Sequence, residues 1–356
     1  MFVAWRDLRF AKGRFALMGT VIVLITVLVG LLSGLTAGLG RENTSAITAL
    51  PADHLVFSAP PEGSTVSFTD SRLPERTARE WARVPGVRGA EPLGIATTKA
   101  AAGSRTAALS AFGVRSGSPL EPGGTPVGDG AVVLSEKAAQ ALGVRAGGSL
   151  TLGGHRVKVA AVSGAAMYSH TPVIWTSLTD WRRLSGGSGG ATVLALTTTD
   201  AADLAAADEQ LETRTVAAGD ALAAIGSYSA ENGSLQLMRG FLFAISALVI
   251  GAFFTVWTIQ RSGDVAVLKA LGASTRSLLK DALGQAVVLL VAGTGLGTAL
   301  AAGVGAVVGG GVPFVLDPAT VLLPALIMIA LGAVGAALSI RRITSVDPLT
   351  ALGSAR

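Results

Sequence analysis

Gln260-Arg261-Ser262-Gly263-Asp264-Val265-Ala266-Val267-Leu268-Lys269-Ala270-Leu271-Gly272-Ala273-Ser274 is a short polar stretch set between two long uncharged segments. Upstream, the 21 residues between Arg239 and Arg261 carry no charge, and downstream the 35 between Asp281 and Asp317 carry none. A helix needs about 20 apolar residues to cross the hydrocarbon core, so each neighbour is long enough to span a bilayer. The quoted stretch is then the link that emerges between two spans. Further uncharged runs of 26 residues between Arg14 and Arg41 and of 23 between Asp317 and Arg341 complete a set of four expected spans, at 15–38, 235–260, 282–309 and 319–340.

Composition agrees. Half of the 356 residues are hydrophobic and 14% are charged, where a soluble domain carries about 25%; the mean hydropathy is +0.57. Bases near span ends set orientation. Arg6, Arg9, Lys12 and Arg14 precede the first span, Arg261, Lys269, Arg276 and Lys280 lie in the link at 261–281, and Arg341 and Arg342 open the tail at 341–356. The turn between the last two spans has only Asp317. Both termini and the link are therefore expected in the cytoplasm of a cell-membrane protein, with residues 39–234 outside. A cleaved signal peptide competes for the first span, but the run exceeds a usual signal core and no clear small-residue cleavage site ends it, so a retained helix is expected.

The net charge of +5 is mostly an orientation signal. Residues 41–234 hold 16 Lys and Arg against 18 Asp and Glu, and no basic stripe marks a soluble part, which argues against nucleic acid. Cysteine is absent, so disulfides, thiol catalysis and Cys-ligated metal sites are excluded. There is no G-x-x-x-x-G-K-[ST] loop, no H-E-x-x-H and no G-x-S-x-G elbow, and the histidines are His54, His155 and His170 alone. No enzyme, catalytic residue, metal site or intrinsic cofactor is expected.

The link resembles the coupling segment of FtsX-like, MacB-type ABC transporter permeases, whose usual wording is R-x-x-E-[IV]-[AG]-[VI]-L-[KR]-A-[LI]-G-A; Asp264 stands where that family usually has Glu. The tail Arg341-Arg342-Ile343-Thr344-Ser345-Val346-Asp347-Pro348-Leu349-Thr350-Ala351-Leu352 resembles the family's other hallmark, a basic pair followed by D-P-L-x-A-L. The resemblance implies a permease that works by mechanotransmission with two copies of a cytoplasmic ABC ATPase, which alone uses ATP. Asp264, Val267, Leu268, Lys269, Leu271 and Gly272 would seat in that ATPase; the plainer reading is a solvated turn. The family also implies a homodimer, for which Gly30, Gly34 and Gly38 offer a small-residue face that serves packing inside one chain equally well. Residues 1–14 suit an amphipathic helix on the membrane surface, with Trp5 and Phe10 at headgroup depth, and the family begins the same way.

The outer segment reads as mixed α/β. Leu55–Ser58 and Ala131–Ser135 look like strands, Glu75–Arg83 and Ser135–Leu142 like helices, the latter closed by Gly143, and 148–162 like a hairpin turning at Gly153-Gly154. Asp200–Asp220 is expected to be a helix leading back to the membrane. The order resembles the MacB-type periplasmic core domain. The fold class is thus an α-helical membrane protein with four transmembrane helices and a mixed α/β extracytoplasmic domain.

Cargo is hinted at by Met167-Tyr168-Ser169-His170-Thr171-Pro172-Val173-Ile174-Trp175, which resembles the haem exporter permeases (HrtB type) within the wider family. Tyr228, Glu231 and Met238 lie near the start of the second span and Glu42 just after the first. Haem iron accepts His, Met and Tyr, and a carboxylate at membrane depth is costly without a function. The candidate haem-binding set is therefore Glu42, Tyr168, His170, Tyr228, Glu231 and Met238. Interfacial solvation explains the aromatics as well. Export of another amphipathic substrate (antimicrobial peptide, macrolide or lipid) and a non-transporting regulatory role remain open alternatives.

Overall fold

The computed structural model describes residues 12–187, 190–260, 263, 267, 271–272, 274–309 and 311–344. The surface helix expected at 1–14 falls almost wholly outside them, as do Asp264, Leu268, Lys269 and the tail beyond 344. In chain order the elements are α1 (Lys12–Thr48), β1 (His54–Ser58), α2 (Glu75–Trp81), β2 (Val87–Ala102), β3 (Arg105–Val114), β4 (Ala131–Leu134), α3 (Glu136–Leu142), β5 (Ser149–Leu152) and β6 (His155–Val162). They continue with β7 (Met167–Tyr168), β8 (Thr171–Ser177), α4 (Leu178–Leu184), β9 (Val193–Thr198), α5 (Leu204–Leu211), β10 (Thr213–Ala217), α6 (Gly226–Gln260), α7 (Thr275–Val308) and α8 (Pro318–Thr344). The chain forms two compact units, Leu39–Gly233 and the remainder.

The first unit is built on one sheet ordered β10-β1-β9-β2-β3-β8-β4-β6-β5. The far end of β2 also pairs with β5, through Ala100↔Leu152 and Ala101↔Thr151, so β2, β3, β8, β4, β6 and β5 close into a ring. The β3–β8 and β4–β6 pairs are parallel. Strand side chains alternate faces, and the two faces fill two cores. Leu109, Val132, Leu134 and Ile174 enter one, while Phe112, Val114, Val133, Val173 and Trp175 enter the other. Burial on both faces accounts for the unbroken apolar runs of β4 and β8.

A tryptophan seat holds α4 to the sheet. Gly94 and Gly113 are cross-strand partners on β2 and β3, and a Cβ at either would run into the Trp181 ring, which is 1% exposed. A side chain there must displace the ring or bend the sheet. Gly113→Ala is expected to cost about 1–3 kcal/mol, read as a lowered denaturation midpoint with unchanged α6–α8 helicity; an unchanged midpoint would contradict the seat.

Local signals explain the short helices. Ser135 caps α3 by accepting from Ala138 N–H at 3.4 Å, and Gly143 ends it at φ +66°, the left-handed conformation that glycine adopts without cost. The expected helix over Asp200–Asp220 is corrected to α5, β10 and a short 3₁₀ turn at Asp220–Ala224. Glu212 takes φ +53° and stops α5. The β-branched Thr213, Thr215 and Val216 then pair with β1, while the Asp208 carboxylate accepts from both threonine hydroxyls at 2.7 and 2.8 Å. The alanine-rich β2 and β3 escaped the sequence reading because ring closure, not propensity, makes them strands.

In the second unit, α1, α6, α7 and α8 are long and apolar enough to cross a membrane. The helices outrun the uncharged segments: α1 continues from 38 to Thr48, and α6 begins at Gly226. The glycine face expected to pack a second copy is filled from inside the chain. A Cβ at Gly30 would lie 2.9 Å from the Ala301 Cβ, one at Gly34 would enter the Phe314 ring, and one at Gly38 would strike the Pro313 carbonyl. Val315 N–H donates to the Gly34 carbonyl at 3.1 Å. Within the protomer these glycines thus pack against α7 and the segment before α8, one of the two uses that a small-residue face allows. Asp317 accepts from Thr320 N–H at 2.9 Å and so caps α8.

Candidate functional site

The ends of α1 and α6 that belong to the α/β unit meet the β7–β8 hairpin. Tyr168 and Thr171 are strand partners, leaving Ser169 and His170 as the turn. Their φ values are +48° and +60°. A tight turn with both central residues left-handed favours Asn-Gly, and an L side chain there costs about 1–2 kcal/mol per residue. The turn is held by its surroundings. Ser169 N–H donates to the Asn43 carbonyl at 3.0 Å and His170 N–H to the Glu42 carbonyl at 3.3 Å. The Thr171 hydroxyl donates to the Tyr168 carbonyl at 2.8 Å.

Side chains extend this into a chain. The Ser227 hydroxyl of α6 donates to Asn43 Oδ1 at 2.6 Å, which leaves the Ser169 hydroxyl to donate to Ser227 Oγ at 2.8 Å. Asn43 Nδ2 donates to Glu231 Oε2 at 3.1 Å. His170 Nε2 lies 2.9 Å from both Glu231 oxygens and 2.9 Å from Asn43 Nδ2. Nε2 meets two opposed demands: the Glu231 carboxylate would accept a proton from it, and the Asn43 amide N–H would donate to it. On the other side of the ring, Glu42 Oε2 is 3.8 Å from His170 Nδ1, and Glu42 Oε1 pairs with Lys137 Nζ at 2.5 Å. The side chains of Glu42, His170 and Glu231 are 21%, 32% and 41% exposed, so the cluster is a shelf open to solvent. Each ion pair at that exposure is worth about 0–1 kcal/mol; their common geometry matters more than their sum.

The structure thus brings together Glu42, His170 and Glu231 of the expected set. Tyr228, one turn before Glu231 on α6, is half-buried against the domain core. Met238 is 47% exposed and lies in the other unit, about two turns further along α6 from Glu231. Tyr168 is placed differently: it is buried in the domain core, its ring edge-on to Phe68 at 5.8 Å and to Phe112 at 5.6 Å. Desolvation pushes its phenol pKa up, so it stays neutral. Asn43, Lys137, Ser169 and Ser227 escaped the sequence reading; small polar residues at helix ends carry no motif. A cavity of about 430 Å³ in the same unit, lined by Glu75, Arg115, Asp129 and Arg182 among others, shares no residue with the cluster.

In the link, Val267 and Leu271 are 56% and 79% exposed, and Leu271 N–H donates to the Val267 carbonyl at 3.0 Å. Both side chains face solvent, and Gly272 takes φ +94°.

Four membrane-length helices, an α/β domain between the first two, and an apolar pair displayed on the link define a permease architecture. The model of the MacB-like periplasmic core domain matches residues 15–214 and that of the FtsX-like permease C-terminal matches 237–348; the chain belongs to this family of ABC transporter permeases. It is 25% identical over 356 residues to a Staphylococcus epidermidis protein named as the hemin transport system permease protein HrtB, and 28% identical over 355 to its Staphylococcus haemolyticus namesake. Each comparison covers 99% of both chains. An ABC transporter permease of Mycobacterium tuberculosis, uncharacterized by name, is 26% identical over 372 residues, again covering 99% of both. Among solved structures, the extracellular domain of the noncanonic ABC-type transporter YknZ from Gram-positive bacteria matches at 14% identity and a TM-score of 0.37, covering 46% of this chain and 99% of that one. The periplasmic region of MacB from Actinobacillus actinomycetemcomitans matches at 12% and 0.36, covering 51% and 95%.

Proposed function

We propose that this chain is the permease subunit of an ATP-driven exporter that removes haem from the membrane. The observation that carries the reading is the gathering of His170, Glu42 and Glu231 where α1 and α6 pass into the α/β domain. Imidazole and thioether are haem-iron ligands, and Tyr228 and Met238 flank Glu231 along α6. Full-length similarity to proteins named for hemin transport supports the same cargo.

The termini and link lie in the cytoplasm, as the positive-inside pattern indicates. Two ATPase copies act on a permease homodimer, each engaging a link through Asp264, Val267, Leu268, Lys269, Leu271 and Gly272. Closure of the ATPase pair shifts the links, and the helices relay that movement to the α/β domains, which expel the cargo without an aqueous pore.

Titration of the purified protein with haemin, followed by its Soret band, tests the cargo. A saturable shift is expected, with affinity falling at least about tenfold in His170→Ala and Glu231→Gln and less in Glu42→Gln, Tyr228→Phe and Met238→Leu. Tyr168→Phe is expected to leave binding unchanged, because the phenol is buried. The absence of saturable binding, or binding indifferent to every substitution, would sink the haem reading and leave a permease for another amphipathic molecule.

A further inference from the structure

We propose that the β7–β8 hairpin tip is a latch that ties α1 to α6 and has to release them once in each transport cycle. Its positioning residues are Asn43, Ser169 and Ser227. The inference rests on the permease reading but is independent of the cargo.

Three observations converge. The first is the turn itself. Ser169 and His170 both adopt the left-handed conformation, where a sequence selected for a quiet turn carries Asn-Gly. Strain of this kind persists only where surrounding contacts impose it. The second is what imposes it. The tip donates two backbone hydrogen bonds to the carbonyls of Asn43 and Glu42 on α1, while its side chains reach Ser227 and Glu231 on α6. The third is the directional chain Ser169 to Ser227 to Asn43 to Glu231, closed by His170. Asn43 is its hub: its oxygen takes the α6 serine and its nitrogen gives to the α6 carboxylate. The hairpin tip and Asn43 share Ser227 and Glu231 as partners, so hairpin and asparagine act as one clasp.

The balance suits a device that opens. Glu42, His170 and Glu231 are partly exposed, so on release water replaces their bonds at little cost and the turn sheds its strain, while Asn43, 1% exposed, is the buried hub that has to be uncovered. Ala46 and Ile47 of α1 and Tyr228 of α6 join the same domain core, and that apolar packing resists separation in proportion to the area exposed, so the ATPase stroke has to supply the opening. Both helices continue from the clasp into membrane-length apolar segments, so a spreading of α1 from α6 driven by the ATPase has to pass through this contact. Discrete alternatives of this kind, closed or open, are how small displacements become domain movements.

The chain has no cysteine, which permits a clean covalent test. Ser169 Oγ and Ser227 Oγ are 2.8 Å apart, so Ser169→Cys with Ser227→Cys places two thiols within reach of a disulfide. The variant is assembled with an ABC ATPase subunit found to bind the full chain, and ATP hydrolysis is followed before and after oxidation and again after reduction. Oxidation is expected to lower turnover at least about tenfold, as when a lid motion limits kcat, with full recovery on reduction. Each single cysteine variant is expected to ignore the oxidant. A locked protein that turns over as fast as its reduced form would overturn the latch, and failure of the thiols to pair would overturn the geometry behind it. Absence of ATP-driven turnover in the wild-type assembly as well would instead refute the proposed ATP-driven transport, and the latch with it. His170→Gly adds a second readout. It relaxes the turn and removes the ring together, and is expected to raise basal ATP hydrolysis by uncoupling; a thermal midpoint unchanged from wild type shows that folding is not the cause.

Discussion

Leu271→Asp, combined with Val267→Asp, is expected to abolish the proposed ATP-driven turnover while leaving the chain folded. Both side chains are exposed in the link, so neither contributes to a core, and burying carboxylates in a partner's cleft carries a heavy desolvation cost. Interfaces concentrate their energy in a few buried anchors, worth about 2–4 kcal/mol each, which corresponds to a weakening of ATPase docking by about 30-fold to 1,000-fold for each anchor lost. Co-purification of the ATPase and its rate of hydrolysis measure the effect directly. Retained docking in the double variant would mean that the link is a solvated turn and that the subunits meet elsewhere. The circular dichroism spectrum is expected to match wild type, since both positions face solvent.

Gly38→Val prevents the membrane unit from assembling. The obstacle to a Cβ at this position is the backbone carbonyl of Pro313, which cannot swing away as a side-chain tip can. The cost therefore lies at or above the upper end of the usual 1–3 kcal/mol for overpacking. Gly34→Leu meets the Phe314 ring and is expected to act similarly. Gly303→Ala is the matched control: it sits in α7 with nothing within 4 Å of its added Cβ, and its effect should fall within about 0.5 kcal/mol. Thermal melts of the detergent-solubilised protein separate the cases. If Gly38→Val melted like Gly303→Ala, the intramolecular use of the glycine face would be wrong and a role between protomers would return.

What the sequence made legible follows from which interactions are local. Uncharged runs announced the four membrane-length helices because the bilayer imposes its requirement residue by residue. Ser135 and Gly143 announced α3 because caps act within a turn. The alanine-rich β2 and β3 stayed hidden, since their pairing with each other and with β5 is a property of the closed ring. Asp200–Asp220 misled because alanine and acid favour a helix, whereas Asp208 and the β1 edge draw Thr213–Ala217 into the sheet. Gly30, Gly34 and Gly38 were legible as a packing face but not as to what packs there; Pro313 and Phe314, nearly 280 residues away in sequence, fill it.

The site divides along the same line. Glu42, His170 and Glu231 were candidates by residue type, and the fold brings them together. Tyr168 was a candidate for the same reason, yet the alternation that sends Val173 and Trp175 into the core takes its ring there too. Asn43 carries most of the geometry and no motif announces it: a single asparagine just beyond a span acquires meaning only when Ser227 and Glu231 arrive from the other end of the domain.

The most direct test of the central claim is ATP-driven clearance of haemin from lipid vesicles that contain this chain and an ABC ATPase subunit found to bind it. Haemin partitioned into the bilayer should leave the membrane and appear on an external acceptor such as apo-haemoprotein only when ATP is supplied on the ATPase side. Clearance should fall to the ATP-free rate in the Val267→Asp, Leu271→Asp double variant and be strongly reduced in Glu231→Gln. Equal haemin loss with and without ATP, in an assembly whose ATP hydrolysis is intact, would contradict haem export and assign the same machinery to another cargo.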